Sequence, residues 1–321
     1  MGRENLSGSG PRFLNGPADA SDSRNELSDT PSSDLPRVDI IRHSSWSDGP
    51  QWFVEPEDDV QLPITAGVPP DVPRRTGDRV LVTGACGVIG RAIAEHLGGE
   101  LELHGLDIGG TPHSAYVSHT VGSVADVDLV ASLVDSVDVV VHLATGALGG
   151  WDGLQTVEID GTRALVGAAV ESGTRRLILA SSTHSIGWYE RDWLDGKQVP
   201  PVRAESMIRP DGMYGAAKAF AEATARFAND WSGLPVSILR IGTMRAVDDP
   251  VKLIESDELS YLGFGEQRRE RLMRSWLFHA DLAEYIREEL RHPAGFRLRA
   301  ATSTPDGQQW DHAVFTGDVG E

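Results

Sequence analysis

"RVLVTGACGVIGRAIAEHL", residues 79–97, decides the fold. "RVLVTG" is an apolar run fit for a buried strand, and "VIGRAIAEHL" carries apolar residues at helical spacing. Between them Gly84, Gly87 and Gly90 recur every three residues. Backbone amides reach a pyrophosphate only where Cβ is absent, and a helix N-terminus favours negative charge. A glycine triplet alone is a weak signal, because glycine also marks ordinary turns. Here it follows a strand and opens a helix, which is the context that dinucleotide binding requires.

Outward from this stretch the chain alternates strand and helix. "LELHGLD" is a second strand, "DLVASLVDSV" a helix and "DVVVHLA" a fourth strand. A further helix closes on "LVGAAVESG" before the strand "RLILASS", then a long helix covers 213–231 and "VSILRIG" follows. Strands alternating with helices predict an α/β fold, a Rossmann-type doubly wound parallel sheet with both faces covered. After Gly242 the alternation weakens. The expected organisation is a disordered extension over 1–76, then a dinucleotide-binding domain over 77–321. A small substrate-binding cap is expected mainly in 243–275 and 292–321.

The extension is rich in Ser, Asp, Pro and Gly, with too little apolar content to offset the entropy of ordering it. It contains Trp46, Trp52, Phe53 and Val54. Those residues read as a tail that docks on the domain, as a partner-binding or active-site flap, or as the product of a misassigned start codon.

Composition narrows the partners. The 321 residues carry a formal net charge of −19, with no concentrated basic face for nucleic acid. Three lysines (Lys197, Lys218, Lys252) stand against 26 arginines. That balance fits a salty cytoplasm and equally a GC-rich genome. A single cysteine, Cys86, excludes an intramolecular disulfide and a cysteine-cluster metal site. No apolar stretch is long enough to span a membrane, so a cytoplasmic protein without membrane or nucleic-acid partners is expected.

Two constellations carry chemistry. Asp107 ends the second strand, where a carboxylate accepts both ribose hydroxyls and repels a 2′-phosphate; no Arg or Lys adjoins it in "LDIGG", which predicts NAD over NADP. The alternative is a solvated strand-end carboxylate. In "MYGAAKAF", Tyr214 and Lys218 stand at i and i+4, on one helix face. A phenol titrates near 10, and bringing it to neutrality takes about 4 kcal/mol, which nearby cations in a dry pocket can supply. An ordinary amphipathic pair is the bland reading. The row Ser181, Ser182, Thr183, His184, Ser185 at the end of an apolar strand has hydroxyls for a polyhydroxylated substrate. Ser182 would hydrogen-bond the reacting hydroxyl while Tyr214 removes its proton, with Thr183, His184 and Ser185 lining the pocket. His184 as a buried structural histidine is the alternative.

"TGACGVIG", "HLAT", "SST" and Tyr-x-x-x-Lys together resemble the extended short-chain dehydrogenase/reductase superfamily over about residues 78–291. "SSTHSIGWYE", "RPDGMYGAAKAFAE", "RIGT" and "RLMRSWLFHADLAEYI" look like its uronate dehydrogenase branch, near archaeal aldose and glucose-6-phosphate dehydrogenases. The resemblance implies Ser182, Tyr214 and Lys218 as the catalytic set, with oxidation of a sugar at C1 to the lactone. It implies NAD contacts at Gly84, Cys86, Gly87, Val88, Ile89, Gly90, Asp107, Ile108, Ser123, Val124, Leu143, Ala144, Thr145, Tyr214, Lys218 and Ile241. Substrate contacts fall on Ser182, Thr183, His184, Thr243 and Arg271, and no metal is implied. A homo-oligomer, a dimer or larger, would form through the helices containing Leu165 and Tyr214. A guanidinium fork suits carboxylate and phosphate alike, so Arg271 leaves uronate, aldose and aldose phosphate open. The runner-up is a nucleotide-sugar epimerase or dehydratase, and a non-enzymatic dinucleotide sensor is the third reading. Three positions depart from the family: Glu158 stands for Asn in "VEIDGT", Thr183 for Asn, and Ser123 for Asp. The 244–270 loop is long and carries "EQRRER", read as a solvated face or as an anion-binding wall.

Overall fold

The computed structural model describes residues 75–256, 265–292, 294–303 and 310–316. The expected extension, 1–76 with its tryptophans, lies outside the described residues save for Arg75 and Thr76. Arg75 bonds the carbonyls of Val137 and Ser172, so the first described residue lies against the domain.

The glycine-rich segment folds as its pattern predicts. Strand β1 (Arg79–Thr83) enters the loop and helix α1 (Val88–Leu97) leaves it. In chain order there follow β2 (Glu102–Asp107), β3 (Tyr116–Val121), α2 (Val127–Asp135) and β4 (Val139–His142). Then come α3 (Gly150–Leu154), a π-helical segment (Gln155–Gly161), α4 (Thr162–Glu171) and β5 (Arg176–Ser182). A 3-10 turn (Thr183–Ile186) leads to α5 (Trp188–Leu194), α6 (Met213–Ser232) and β6 (Val236–Ile241). The last elements are α7 (Pro250–Glu255), α8 (Gly265–Ser275), α9 (His279–Arg291) and β7 (Phe296–Ala301).

Seven parallel strands form one sheet in the order β3-β2-β1-β4-β5-β6-β7. Alternate strand residues feed two cores. Leu81, Val140, Leu177 and Leu179 pack with Val130 and Val134 of α2, Leu165 of α4 and Ala221 of α6. Val80, Val82, Val139 and Ile178 pack on the other face with Ile93 of α1 and Leu282 and Ile286 of α9. Strands buried on both faces read as continuous apolar runs, as β4 and β5 do. The strand order reverses between β1 and β4, and in such sheets that point opens the ligand crevice at the carboxyl ends.

The expected cap needs one correction. The expectation places 292–321 in it, yet Phe296–Ala301 is β7, paired parallel to β6 along its whole length. "FRLRAA" hides its strand character because Arg297 and Arg299 interrupt the apolar run. Both arginines pair laterally with Glu288 and Glu289 of α9. On the other stretch, α7 and α8 do stand apart from the sheet and bury Leu253, Leu272 and Trp276 in a core of their own. Among the described residues no helix is long and apolar enough to cross a membrane.

Candidate active site

Two cavities lie along the carboxyl edge of the sheet and share Leu143, Thr145 and Leu148. The first, ≈ 420 Å³, is lined by Gly84, Cys86, Gly87, Asp107, Ile108, Ser123, Val124 and Ala144, besides the shared residues. Its floor is backbone. Gly84 has φ +72, and a Cβ there would stand 3.0 Å from the Ala144 nitrogen, so the turn tolerates only glycine without strain. Asp107 accepts a hydrogen bond from the Cys86 amide at 2.9 Å, which fixes the carboxylate beside the loop. Burial, with Asp107 adding to it, pushes the Cys86 thiol up, so the sulfur stays protonated and weakly nucleophilic. The cradle, the helix N-terminus behind it and the carboxylate at the strand end fit the adenosine and pyrophosphate of a dinucleotide. Val88 and Gly90 do not line the cavity, Gly90 being buried within α1.

The second cavity, ≈ 590 Å³, is lined by Ile89, Ser182, His184, Tyr214, Lys218, Ile241, Thr243 and Arg271 among others. Tyr214 and Lys218 therefore face the same space as the β5 strand end. Gly215 makes that possible: a Cβ there would come within 2.1 Å of the His184 carbonyl oxygen, so α6 could not approach the 3-10 turn with a larger residue. The Lys218 ammonium, 5.7 Å from the Tyr214 ring, is buried and donates to the Ala180 carbonyl at 3.1 Å. The Ser182 hydroxyl accepts from the His184 amide at 3.2 Å, which leaves its own proton to donate. His184 meets Tyr214 edge-on, with ring centroids 5.7 Å apart. Its Nδ1 lies 2.9 Å from both Asp211 carboxylate oxygens, and a carboxylate only accepts, so Nδ1 carries the proton. Burial alone would raise the Asp211 carboxyl, but the His184 hydrogen bond and charge, with Arg191 and Arg271 beyond, hold it below the usual carboxylate range.

The row of polar residues divides. Ser181, Ser182 and His184 line the cavity; Thr183 and Ser185 do not, contrary to the expectation that both would. Ser185 is wholly buried and donates to Glu222, as does Ser181 at 2.5 Å. Arg240 closes on the same Glu222 carboxylate with two bonds of 2.9 and 2.8 Å. Glu222 follows Tyr214 and Lys218 at successive i+4 steps in "YGAAKAFAE", a signal that was available in the sequence and points inward behind the strand end.

Arg271 reaches the cavity because Thr243 is stitched to the end of α8: its amide donates to the Ser275 carbonyl at 2.6 Å. The guanidinium is not bare. Its Nε donates to Glu190 at 2.9 Å, and Glu190 is buried. Burial pushes the Glu190 carboxyl up against the opposing pull of Arg271. Sequence reasoning missed Glu190, Arg191, Asp211 and Arg245, whose side chains come from loops and short helices without a pattern of their own. Of the "EQRRER" run, Arg269 is exposed and Arg271 faces the cavity.

Comparison with known proteins agrees with this geometry. The NAD dependent epimerase/dehydratase family matches residues 80–297. The chain is similar to uronate dehydrogenase of Pseudomonas putida, 28% identical over 75% of this chain and 83% of the relative. It is also similar to NAD-dependent glucose-6-phosphate dehydrogenase of Haloferax volcanii, 31% identical over 58% of this chain and 75% of the relative. Among solved structures it resembles uronate dehydrogenase from Agrobacterium tumefaciens, with a TM-score of 0.59 and 25% identity over 73% of this chain and 80% of that one.

Proposed function

The chain belongs to the NAD dependent epimerase/dehydratase family, and we propose that it is an NAD-dependent dehydrogenase that oxidises C1 of a sugar to the lactone. The observation that carries this reading is the convergence of Ser182, Tyr214 and Lys218 on one cavity. That cavity is continuous through Leu143, Thr145 and Leu148 with the glycine cradle and Asp107. The sugar dehydrogenases among its relatives support the reaction class.

Bound NAD supplies the acceptor for the hydride that leaves C1. The chain's own residues do the rest. Gly84 and Gly87 hold the diphosphate on backbone amides, and Asp107 takes the ribose hydroxyls. Ser182 donates its free proton to the sugar's anomeric oxygen region and orients it toward Tyr214. The Tyr214 phenolate takes the hydroxyl proton, with the Lys218 ammonium lowering the cost of its charge. His184, held by Asp211, presents its ring to the sugar. A phosphate or carboxylate on the substrate would have to share Arg271 with Glu190, using the guanidinium's terminal nitrogens. Cytoplasmic NAD is the pool such an enzyme draws on. Exposed Phe220 and Phe227 on α6 suit the homo-oligomer expected through that helix.

The test is NADH formation with galacturonate, glucuronate, galactose, arabinose, glucose and glucose 6-phosphate, set against nucleotide sugars. Turnover of simple sugars is expected. Turnover of nucleotide sugars alone would overturn the proposal in favour of an epimerase or dehydratase.

A further inference from the structure

Glu158 is a carboxylate at 1% exposure behind the lining residues Thr145 and Lys218, at a position where the family resemblance expects a neutral amide. It sits in the π-helical segment, a distortion frequent at functional positions. Both its oxygens are engaged. Oε1 accepts from the Thr145 hydroxyl at 2.5 Å, and Oε2 accepts from the Gly146 amide at 3.0 Å. Oε1 also stands 3.4 Å from the Lys218 ammonium. One side chain therefore joins the loop after β4, which lines both cavities, to the cation beside Tyr214.

We propose that Glu158 is a positioning residue that holds Lys218 by ion pairing and thereby sets the pH at which the Tyr214 phenol becomes a base. This rests on the dehydrogenase reading above. A buried ammonium needs a counter-charge, and Glu158 is the carboxylate that provides one. Of the ammonium's three N–H donors one goes to the Ala180 carbonyl, while Glu158 faces the charge as an ion-pair partner at 3.4 Å. The same pairing cancels part of the field that Lys218 exerts on the phenol, so the phenolate forms at higher pH than beside an unpaired ammonium. The other charged or titratable groups around Tyr214 are His184 with Asp211 behind it, and Arg191, Arg245 and Arg271 on the cavity wall. Glu190 lies behind Arg271. His142, near Lys218, is held neutral: burial, and then the Lys218 charge, take it down to about 3.

The experiment compares wild type with Glu158→Gln and Glu158→Asp in two readouts. The first is the pH profile of kcat/KM for the sugar that wild type oxidises. The second is the ultraviolet phenolate titration of the NAD-loaded protein, with the matching Tyr214→Phe background subtracted. The glutamine variant should move the acid limb and the phenolate midpoint down together by about one pH unit. The aspartate variant should stay near wild type, because it keeps the charge. A purely structural role predicts lower activity at every pH with limb and midpoint unmoved, and that result overturns the proposal. Glu158→Asn gives the second neutral variant if thermal melting shows the glutamine protein unfolded. If wild type oxidises no sugar, the dehydrogenase reading fails, and the phenolate titration still decides the role of Glu158.

Discussion

The two halves of the cleft are built from different material. The half around Gly84 and Asp107 is made of a glycine turn, one carboxylate and mostly small or apolar residues, contributed by 84–124 and 143–157. The half around Tyr214 is made of paired side chains from distant segments: Lys218 with Glu158, His184 with Asp211, and Arg271 with Glu190. Backbone recognition needs particular turns, which a short motif specifies. Side-chain recognition needs partners, and each partner changes what its neighbour offers a ligand. Charge type alone would have assigned Arg271 to an anionic substrate, whereas its buried partner makes the pair close to neutral.

Breaking the substrate half should cost most. Tyr214→Phe removes the phenol hydroxyl and should lower turnover about 100- to 10,000-fold with the dinucleotide affinity little changed. Comparing kcat with the dissociation constant for NAD checks both parts. Near-wild-type turnover would remove the phenol from the reaction. In the dinucleotide half, Asp107→Ala deletes the only carboxylate lining that cavity among the described residues. The preference for NAD over NADP should fall about 10- to 100-fold, the worth of a charge-assisted hydrogen bond. Unchanged selectivity would mean that the strand-end carboxylate is merely solvated.

A finer probe changes one partner of a pair. Glu190→Gln keeps the shape but frees the Arg271 charge, so the ratio of galacturonate to galactose turnover should rise about tenfold. A ratio that stays level or falls would show that Glu190 does not restrain anion binding.

The smallest effect lies beneath both halves, at His142, which is hydrogen-bonded to Thr83 at 2.7 Å. Burial, assisted by Lys218, lowers it from its ordinary 6.5 to about 3. Between those values the unfolded chain binds a proton that the folded one refuses, so stability falls as pH drops through that window and is unaffected by this group above it. Melting temperature should drop about 5 °C more between pH 7.5 and 5 in wild type than in His142→Asn. Equal pH slopes would show that His142 does not govern this loss.

The legibility of the two halves follows the same division. β1, the glycine loop and α1 were readable to within a residue, because a strand-to-helix turn around a diphosphate restricts adjacent positions. Tyr214 and Lys218 were readable because helical spacing puts i and i+4 on one face. Thr183 and Ser185 were misplaced because a row of similar hydroxyls does not reveal that the chain turns into a 3-10 helix after Ser182, sending Ser185 inward to Glu222. β7 was missed because its arginines find their carboxylates on α9, a pairing that local hydrophobicity does not encode.

The sequence by itself determined the strand–helix alternation, the glycine turn and the tyrosine–lysine face, since each depends on residues a few positions apart. Only the tertiary structure decided which charges meet across the substrate cavity. Glu158 reaches Lys218, and Glu190 reaches Arg271, from 60 and 81 residues away. Burial makes those meetings matter, because away from water an ion's nearest partner governs its charge and the ligand it accepts.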